Sequence, residues 1–408
     1  MTIVDTKFKE SEIGPIPEEW NVLRVADVAR VNEKVLSKKD CVESIKYLDT
    51  AAVESGTIGS FQNLELDLAP SRAKRILRDG DTIVSTVRPN LKHFAFIKGS
   101  QSNWIGSTGF AVVTPLKVDP RFLYFSLTTD SATEYLSSIA ASQTSTYPAI
   151  NPDVIENLLI TVPPEIEQRQ IAEILSSFDD KIELNRKINA NLEKLASALF
   201  KKWFVNIGDD LPEGWRMGKV SDLIRVESGF PFNSSVFDDS GNYKLVTIKN
   251  VQDGYFVPEG TDSLNSIPEK MPEHCKLKNG NILLSLTGNV GRVCIVYGEN
   301  YLLNQRVAIL VPLNPQNKAF AYLLFRQKDF QNILIGISRG TAQQNLSPIE
   351  TRSLEIVIPS AEDLTRFAEA ANPIFEMIVD NLNQIKSLSA TKDSLLPRLM
   401  SGRIRVNV

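Results

Sequence analysis

Residues 165–205 read EIEQRQIAEILSSFDDKIELNRKINANLEKLASALFKKWFV, a run with no proline and no glycine. Apolar side chains recur at Ile171, Leu175, Phe178 and Ile182, then at Ile188, Leu192, Leu195 and Leu199. Steps of three and four residues put them on one stripe of an α-helix, the pattern of a seam against a partner helix. Asn185 falls inside the stripe, where a buried amide fixes register at some cost in stability. Lys181, Glu183, Arg186, Lys187, Glu193 and Lys194 flank the stripe as an exposed charged face. At about 1.5 Å per residue the run is roughly 60 Å long, too long to bury its stripe without a partner.

Residues 361–402 supply that partner. Phe367, Ala371, Ile374, Ile378, Asn381, Ile385, Leu388, Leu395 and Leu399 repeat the spacing, with Asn381 in the place of Asn185. The rest of the chain is duplicated with it, a self-similarity that decides the architecture. Ile16-Pro17-Glu18-Glu19-Trp20 returns as Leu211-Pro212-Glu213-Gly214-Trp215, and Arg78-Asp79-Gly80-Asp81 as Lys278-Asn279-Gly280-Asn281. Ile150-Asn151-Pro152 returns as Leu346-Ser347-Pro348. The chain is one unit written twice: modules at 1–163 and 207–359, each followed by a long helix, at 164–206 and 360–408.

Inside the first module, short β-branched runs at 44–48, 82–87, 93–97, 110–114 and 158–162 predict strands separated by turn signals. The second offers 244–248, 282–287, 292–297, 306–311 and 353–358. One helix is predicted in each, at 120–139 and 318–333; the first has Phe122, Tyr124, Phe125, Leu127, Tyr135 and Leu136 as its apolar positions. Many strands with few helices read as α+β. Trp20, after Pro15 and Pro17, is expected to anchor in its module's core.

A chain of 408 residues with 42% hydrophobic content builds two or more real cores. No run reaches the ~18 apolar residues of a membrane helix, so no membrane is expected. The start MTIVDTKFKE is too polar for a signal peptide. Cys41, Cys275 and Cys294 are scattered and odd in number, which suits a reducing cytoplasm better than a disulfide framework. The net charge of −4 runs against a nucleic-acid binder, since such domains are often basic overall. Any phosphate contact must therefore come from local cations.

No catalytic constellation emerges. Gly214-Trp215-Arg216-Met217-Gly218-Lys219 is one residue short of a phosphate loop and continues with Val220. His93 and His274 lie in different modules without a cluster at metal-ligand spacing, so neither a metal site nor a histidine-centred nucleophile is expected. Gly106-Ser107-Thr108-Gly109 is a turn and not a dinucleotide loop, so no cofactor is expected.

Two kinds of loop do carry chemistry. The first is basic: Arg72, Lys74 and Arg75; Arg88 and Lys92; and, in the second module, Gly288-Asn289-Val290-Gly291-Arg292. Arginine and lysine neutralise phosphates, and glycines let backbone amides approach them. The second is rich in amides and hydroxyls: Gln143, Thr144, Ser145, Thr146 and Tyr147, and in the other copy Arg339, Thr341, Gln343, Gln344 and Asn345. Asn304-Gln305-Arg306 has the same inventory. Asparagine and glutamine pair two ways with adenine, and arginine with guanine. One such loop alone is ordinary surface; matched copies with differing letters look like one scaffold reading two targets.

The duplication, Gly340-Thr341-Ala342-Gln343-Gln344-Asn345-Leu346-Ser347 and the helix start Pro163-Pro164-Glu165-Ile166-Glu167-Gln168-Arg169-Gln170-Ile171 together resemble the specificity subunits of type I restriction-modification systems, over essentially the whole chain. Pro359-Ser360-Ala361-Glu362-Asp363-Leu364 lacks the Glu-Gln pair, so different contacts are expected there. The resemblance implies a non-catalytic subunit with two target recognition domains, each reading half of a split, asymmetric site in double-stranded DNA. The two long helices pair antiparallel as a coiled coil that sets the gap between the halves. They also dock two modification subunits, which bring S-adenosylmethionine and methylate adenine N6, and through them restriction subunits. The residues that pair or dock are then Gln168, Ile171, Leu175, Phe178, Ile182, Asn185, Ile188 and Leu192 with Ile374, Ile378, Asn381, Ile385 and Leu388. Two rivals are an adaptor whose modules bind proteins and a fused methyltransferase or nuclease; salt-dependent DNA binding separates the first, and S-adenosylmethionine binding by the isolated chain the second.

Overall fold

The computed structural model describes residues 7–37, 43–143, 148–207, 210–238, 240–259, 262–340 and 344–406. The chain forms two compact units, Met1–Asp180 with Ser389–Val408, and Lys181–Leu388. Each holds one module together with a length of each long helix, so the units do not follow the repeat boundaries.

In the first unit, one sheet runs in the order Phe94–Phe96, Thr82–Ser85, Phe110–Pro115, Ala29–Val31, antiparallel throughout. Thr82–Ser85 is buried at all four positions, which is why it reads as a continuous run and not an alternating one. A second sheet runs Gln62–Glu65, Ser44–Leu48, Trp104–Ser107, Ala73–Ile76, with its middle pair parallel. Asn21–Arg24 pairs with Leu159–Val162 and brings the module's start to its last strand. The predicted 120–139 helix is two helices, Pro120–Leu127 and Asp130–Gln143. Asp119 caps the first through Arg121 N and Phe122 N, and the Thr129 hydroxyl accepts from Ala132 N to start the second. This break turns Tyr135 outward, 46% exposed, so it is not a core position.

The second unit repeats both four-stranded sheets strand for strand. Its sheets run Ile224–Ser228, Val307–Pro312, Ile282–Ser285, Val293–Ile295, and Ser263–Leu264, Tyr243–Val246, Tyr301–Leu303, Lys276–Leu277. Arg216–Lys219 pairs with Glu355–Ile358, and the predicted 318–333 helix is again two, Lys318–Arg326 and Lys328–Ile337.

The long helices are Glu165–Phe200, closed by a wider π-type turn at Lys201–Val205, and Ala361–Met400. In the second unit Asn185 Nδ2 donates to Gln384 Oε1 at 2.6 Å, Asn381 Nδ2 to Asn189 Oδ1 at 2.8 Å, and Asn189 Nδ2 to the Ile378 carbonyl at 3.2 Å. Rising numbers on one helix meet falling numbers on the other, so the pair is antiparallel. The first unit pairs its lengths of the same helices through Lys392 and Asp179 at 2.6 Å and a core shared by Ile171, Leu175, Leu399 and Met400. Leu195 departs from the predicted stripe and is half exposed. Ala196 and Phe200 take the seam instead, because a repeat of 3.6 residues drifts off a strict three-four spacing.

Trp20 is fully buried, and its indole N–H donates to Glu167 Oε2 at 2.9 Å. Trp215 does the same to Asp363 Oδ2 at 2.8 Å. Gln168 accepts from Asp119 N and donates to the Pro163 carbonyl, tying the Pro120–Leu127 helix to the long helix. Its counterpart Leu364 is buried, and Asn372 makes the tie there, through Ala319 N and the Gln316 carbonyl. The contacts at the second helix start do differ. Among the described residues no helix is long and apolar enough to cross a membrane.

Candidate nucleic-acid interface

In each module the buried strand Thr82–Ser85 or Ile282–Ser285 runs out into a loop, and the loop is met on both sides. In the first, Val87 bridges Ala149, Arg88 N donates to the Pro148 carbonyl and Ile150 N to that of Thr86, each bond at 2.8 Å. On the other side Thr86 N donates to the Gly109 carbonyl and Thr108 N to that of Arg72. In the second, Thr287 bridges Asn345, Gly288 N donates to the Gln344 carbonyl at 3.0 Å and Leu346 N to that of Leu286 at 2.7 Å. Leu286 N in turn donates to the Arg306 carbonyl at 3.0 Å. Around each of these loops, segments separate in sequence form one row: residues 72, 86–88, 108–109 and 148–150 in the first module, 286–288, 306 and 344–346 in the second.

Three of the cations here are solvent-accessible but paired with carboxylates. Arg72 meets Asp49 at 2.5 Å, Lys92 meets Asp130 at 2.7 Å, and Arg339 pairs with Glu350. Burial pushes the Asp49 carboxyl up, but hydrogen bonds from Ala51 and Tyr47 and the charge of Arg72 outweigh it and hold it below its ordinary value. Exposed pairs of this kind contribute about 0–1 kcal/mol, so exchanging a carboxylate for a phosphate costs little. These pairs reconcile a net charge of −4 with a local group of surface cations. Nothing in the sequence marked Asp49, Asp130 or Glu350 as partners, because each is distant along the chain or on a separate element.

Arg88 and Lys92 both adopt left-handed backbone, φ 48° and 54°, which for residues with a Cβ is strained. Lys74 is exposed, whereas Arg75 is half-buried on the strand Ala73–Ile76, and burial lowers its pKa. Arg75 is drawn into the module, not into the row. Arg292 donates to Gln252 Oε1 and stays half-exposed. Gln305, Arg306, Gln344 and Asn345 are exposed, and Asn304 Oδ1 accepts from Arg306 N. Asn345 Oδ1 accepts from the Thr287 hydroxyl at 2.9 Å, which leaves its amide hydrogens pointing elsewhere. Gln143 closes the Asp130–Gln143 helix. Thr144, Ser145, Thr146, Tyr147, Thr341 and Gln343 lie outside the described residues.

On the helices, Gln168, Ile171, Leu175, Ile182, Asn185 and Ile378 are buried, and Phe178, Ile188, Leu192, Ile374, Asn381, Ile385 and Leu388 half-buried. Ile171 and Leu175 belong to a core of the first unit, and Ile378, with Leu192 and Ile374 packed against it, to a core of the second.

A family profile described as "Type I restriction modification DNA specificity domain" matches residues 17–194 and again 212–387. The HindI specificity subunit of Haemophilus influenzae is 25% identical over 95% of this chain and 100% of its own length. The MjaIX specificity subunit of Methanocaldococcus jannaschii is 28% identical over 98% of this chain and 97% of its own. The crystal structure of the type I restriction-modification S subunit from M. genitalium shares the fold, with a TM-score of 0.57 at 16% identity, covering 99% of this chain and 100% of that one. Two matches to one domain, one for each half of the duplication, account for most of the sequence: the chain belongs to the family of type I restriction-modification specificity subunits.

Proposed function

We propose that this non-catalytic specificity subunit reads a bipartite DNA site, one half with each module. The recognition domains are 1–163 and 207–359, and the helices at 164–206 and 360–408 are the spacer. The observation that carries this is the repeated row: Val87 with Ala149 and Thr287 with Asn345 join the loop after the buried strand to the segment leading to the last strand in both modules. Arg88, Lys92 and Arg292 hold phosphates, while 143–147, 304–306 and 339–345 touch base edges. The exposed helix faces dock two modification subunits, and restriction subunits join through them. Single-molecule methylation mapping of cells expressing this chain with its modification partner tests it. A split adenine-methylated motif with a fixed gap is expected, and a single contiguous motif overturns it. Substituting Gln344 changes one half of that motif only. Inserting whole heptads into both helices lengthens the gap and spares both halves.

A further inference from the structure

The 286–292 loop of the second unit is held from beneath by polar side chains that base or phosphate contact does not explain. Gln331, 6% exposed on Lys328–Ile337, donates from Nε2 to Asp253 Oδ1 at 2.8 Å and to the Gly291 carbonyl at 3.3 Å. Asp253 sits between the paired strands Val251–Gln252 and Tyr255–Phe256 and meets the Arg326 guanidinium at 2.6 Å. That guanidinium lies 5.9 Å from the Tyr322 ring centroid, and the Tyr322 hydroxyl donates to Glu193 Oε1 at 2.6 Å. Glu193 belongs to the long helix Glu165–Phe200. The same hairpin supplies Gln252, which accepts from Arg292.

The loop needs such a hold. Gly288 and Gly291 have φ of +74° and +82°, and glycine has no intrinsic preference for that region over its mirror image. Free of support, the backbone would sample other conformations and carry Arg292 with it. The first module has Thr133 at the matching helix position, where Leu136 matches Leu334, so it lacks the amide.

We propose that Gln331 is a positioning residue for DNA contact by the second module. Anchored through Asp253, Arg326 and Tyr322 to Glu193, it fixes the 288–292 loop so that Arg292 faces a phosphate. This rests on the function proposed above, in which that loop meets the DNA backbone.

The test uses the full chain assembled with its modification subunits and a duplex carrying the sequence the complex methylates. Gln331→Met keeps the volume and removes both donated bonds. Hydrogen exchange over residues 286–292 without DNA is expected to speed up about tenfold, with exchange of the matching 86–92 loop unchanged. DNA binding is expected to weaken about tenfold, and its salt slope to fall by about one unit as one phosphate contact is lost. Unchanged loop exchange overturns the positioning role, whatever happens to affinity. Faster exchange with an unchanged salt slope leaves the loop held by Gln331 but takes away its phosphate, which overturns the underlying function. Should Gln331→Met fail to assemble, Tyr322→Phe cuts the chain at Glu193 and must shift both readouts the same way; no shift in either overturns the proposal.

Discussion

The loops at 86–92 and 286–292 occupy the same place in two copies of one fold, and they solve it with different chemistry. Arg88 and Gly288 both take left-handed backbone, φ 48° and 74°. In the first copy that position carries the cation itself and accepts strain; in the second, glycine removes the strain and the cation moves to Arg292. The first loop is tied by an exposed pair, Lys92 with Asp130, the second by a buried amide, Gln331. The long-helix starts differ in the same sense. Trp20 meets a fully buried Glu167, which Arg405 neutralises at 2.7 Å, whereas Trp215 meets the half-exposed Asp363, whose pKa is lowered by Trp215 and Ser360. Duplication conserved the backbone and left each copy to satisfy its polar groups separately.

The largest expected difference between the copies lies at those helix starts. Arg405→Met strands the Glu167 carboxylate in the core and should lower the unfolding free energy of its unit by about 3–5 kcal/mol. Asp363→Asn, with an accepting oxygen retained and partial exposure, should cost about 1 kcal/mol or less. Denaturant unfolding of both variants checks the contrast, and equal losses would break it.

An intermediate effect is expected at Arg88. Arg88→Gly should weaken DNA binding about evenly across sequences and lower the salt slope by about one unit. Stability should stay level, because relief of roughly 1–2 kcal/mol of left-handed strain offsets the greater freedom of glycine in the unfolded chain. A change in sequence preference instead would make Arg88 a base reader.

The smallest effect is expected where the copies differ by one atom type. Asp81 and Asn281 make the same turn bond, to Arg78 N at 2.8 Å and to Lys278 N at 2.7 Å. Burial raises the Asp81 pKa, outweighing the bonds from Thr114 and Arg78. A raised carboxyl pKa means stability falls as pH climbs from the unfolded value of 3.8 through the folded one. Asp81→Asn should therefore stabilise the first unit at pH 7, by on the order of 1 kcal/mol. It should give no gain below the unfolded pKa. A loss at pH 7 would show that the charge itself is wanted there.

Much of this architecture was legible because it is periodic or repeated. The 44–48 strand, the buried run at 282, and the long amphipathic helices announce themselves through spacing, and Trp20 with Trp215 through duplication. The breaks at Thr129 and Gln327 were not legible, since apolar residues continue on both sides and only capping and packing decide where one helix stops. Leu195 was misplaced because a fixed three-four count cannot follow helical drift over so many turns. The adjoining of Arg88 with Pro148, and of Gly288 with Gln344, was hidden for another reason: strand pairing between distant segments leaves no local pattern.

The amino-acid order by itself determined that this protein has two copies of one module, two long helices that need each other, and no catalytic centre visible in its motifs. Those properties follow from hydrophobic period and self-similarity, which survive without coordinates. Only the tertiary structure decided that Arg88 adjoins Pro148 and Gly288 adjoins Gln344, that carboxylates pair with Arg72, Lys92 and Arg339, and that Gln331 reaches Gly291. Such juxtapositions depend on register and side-chain direction between segments far apart in the chain, and no local propensity encodes them.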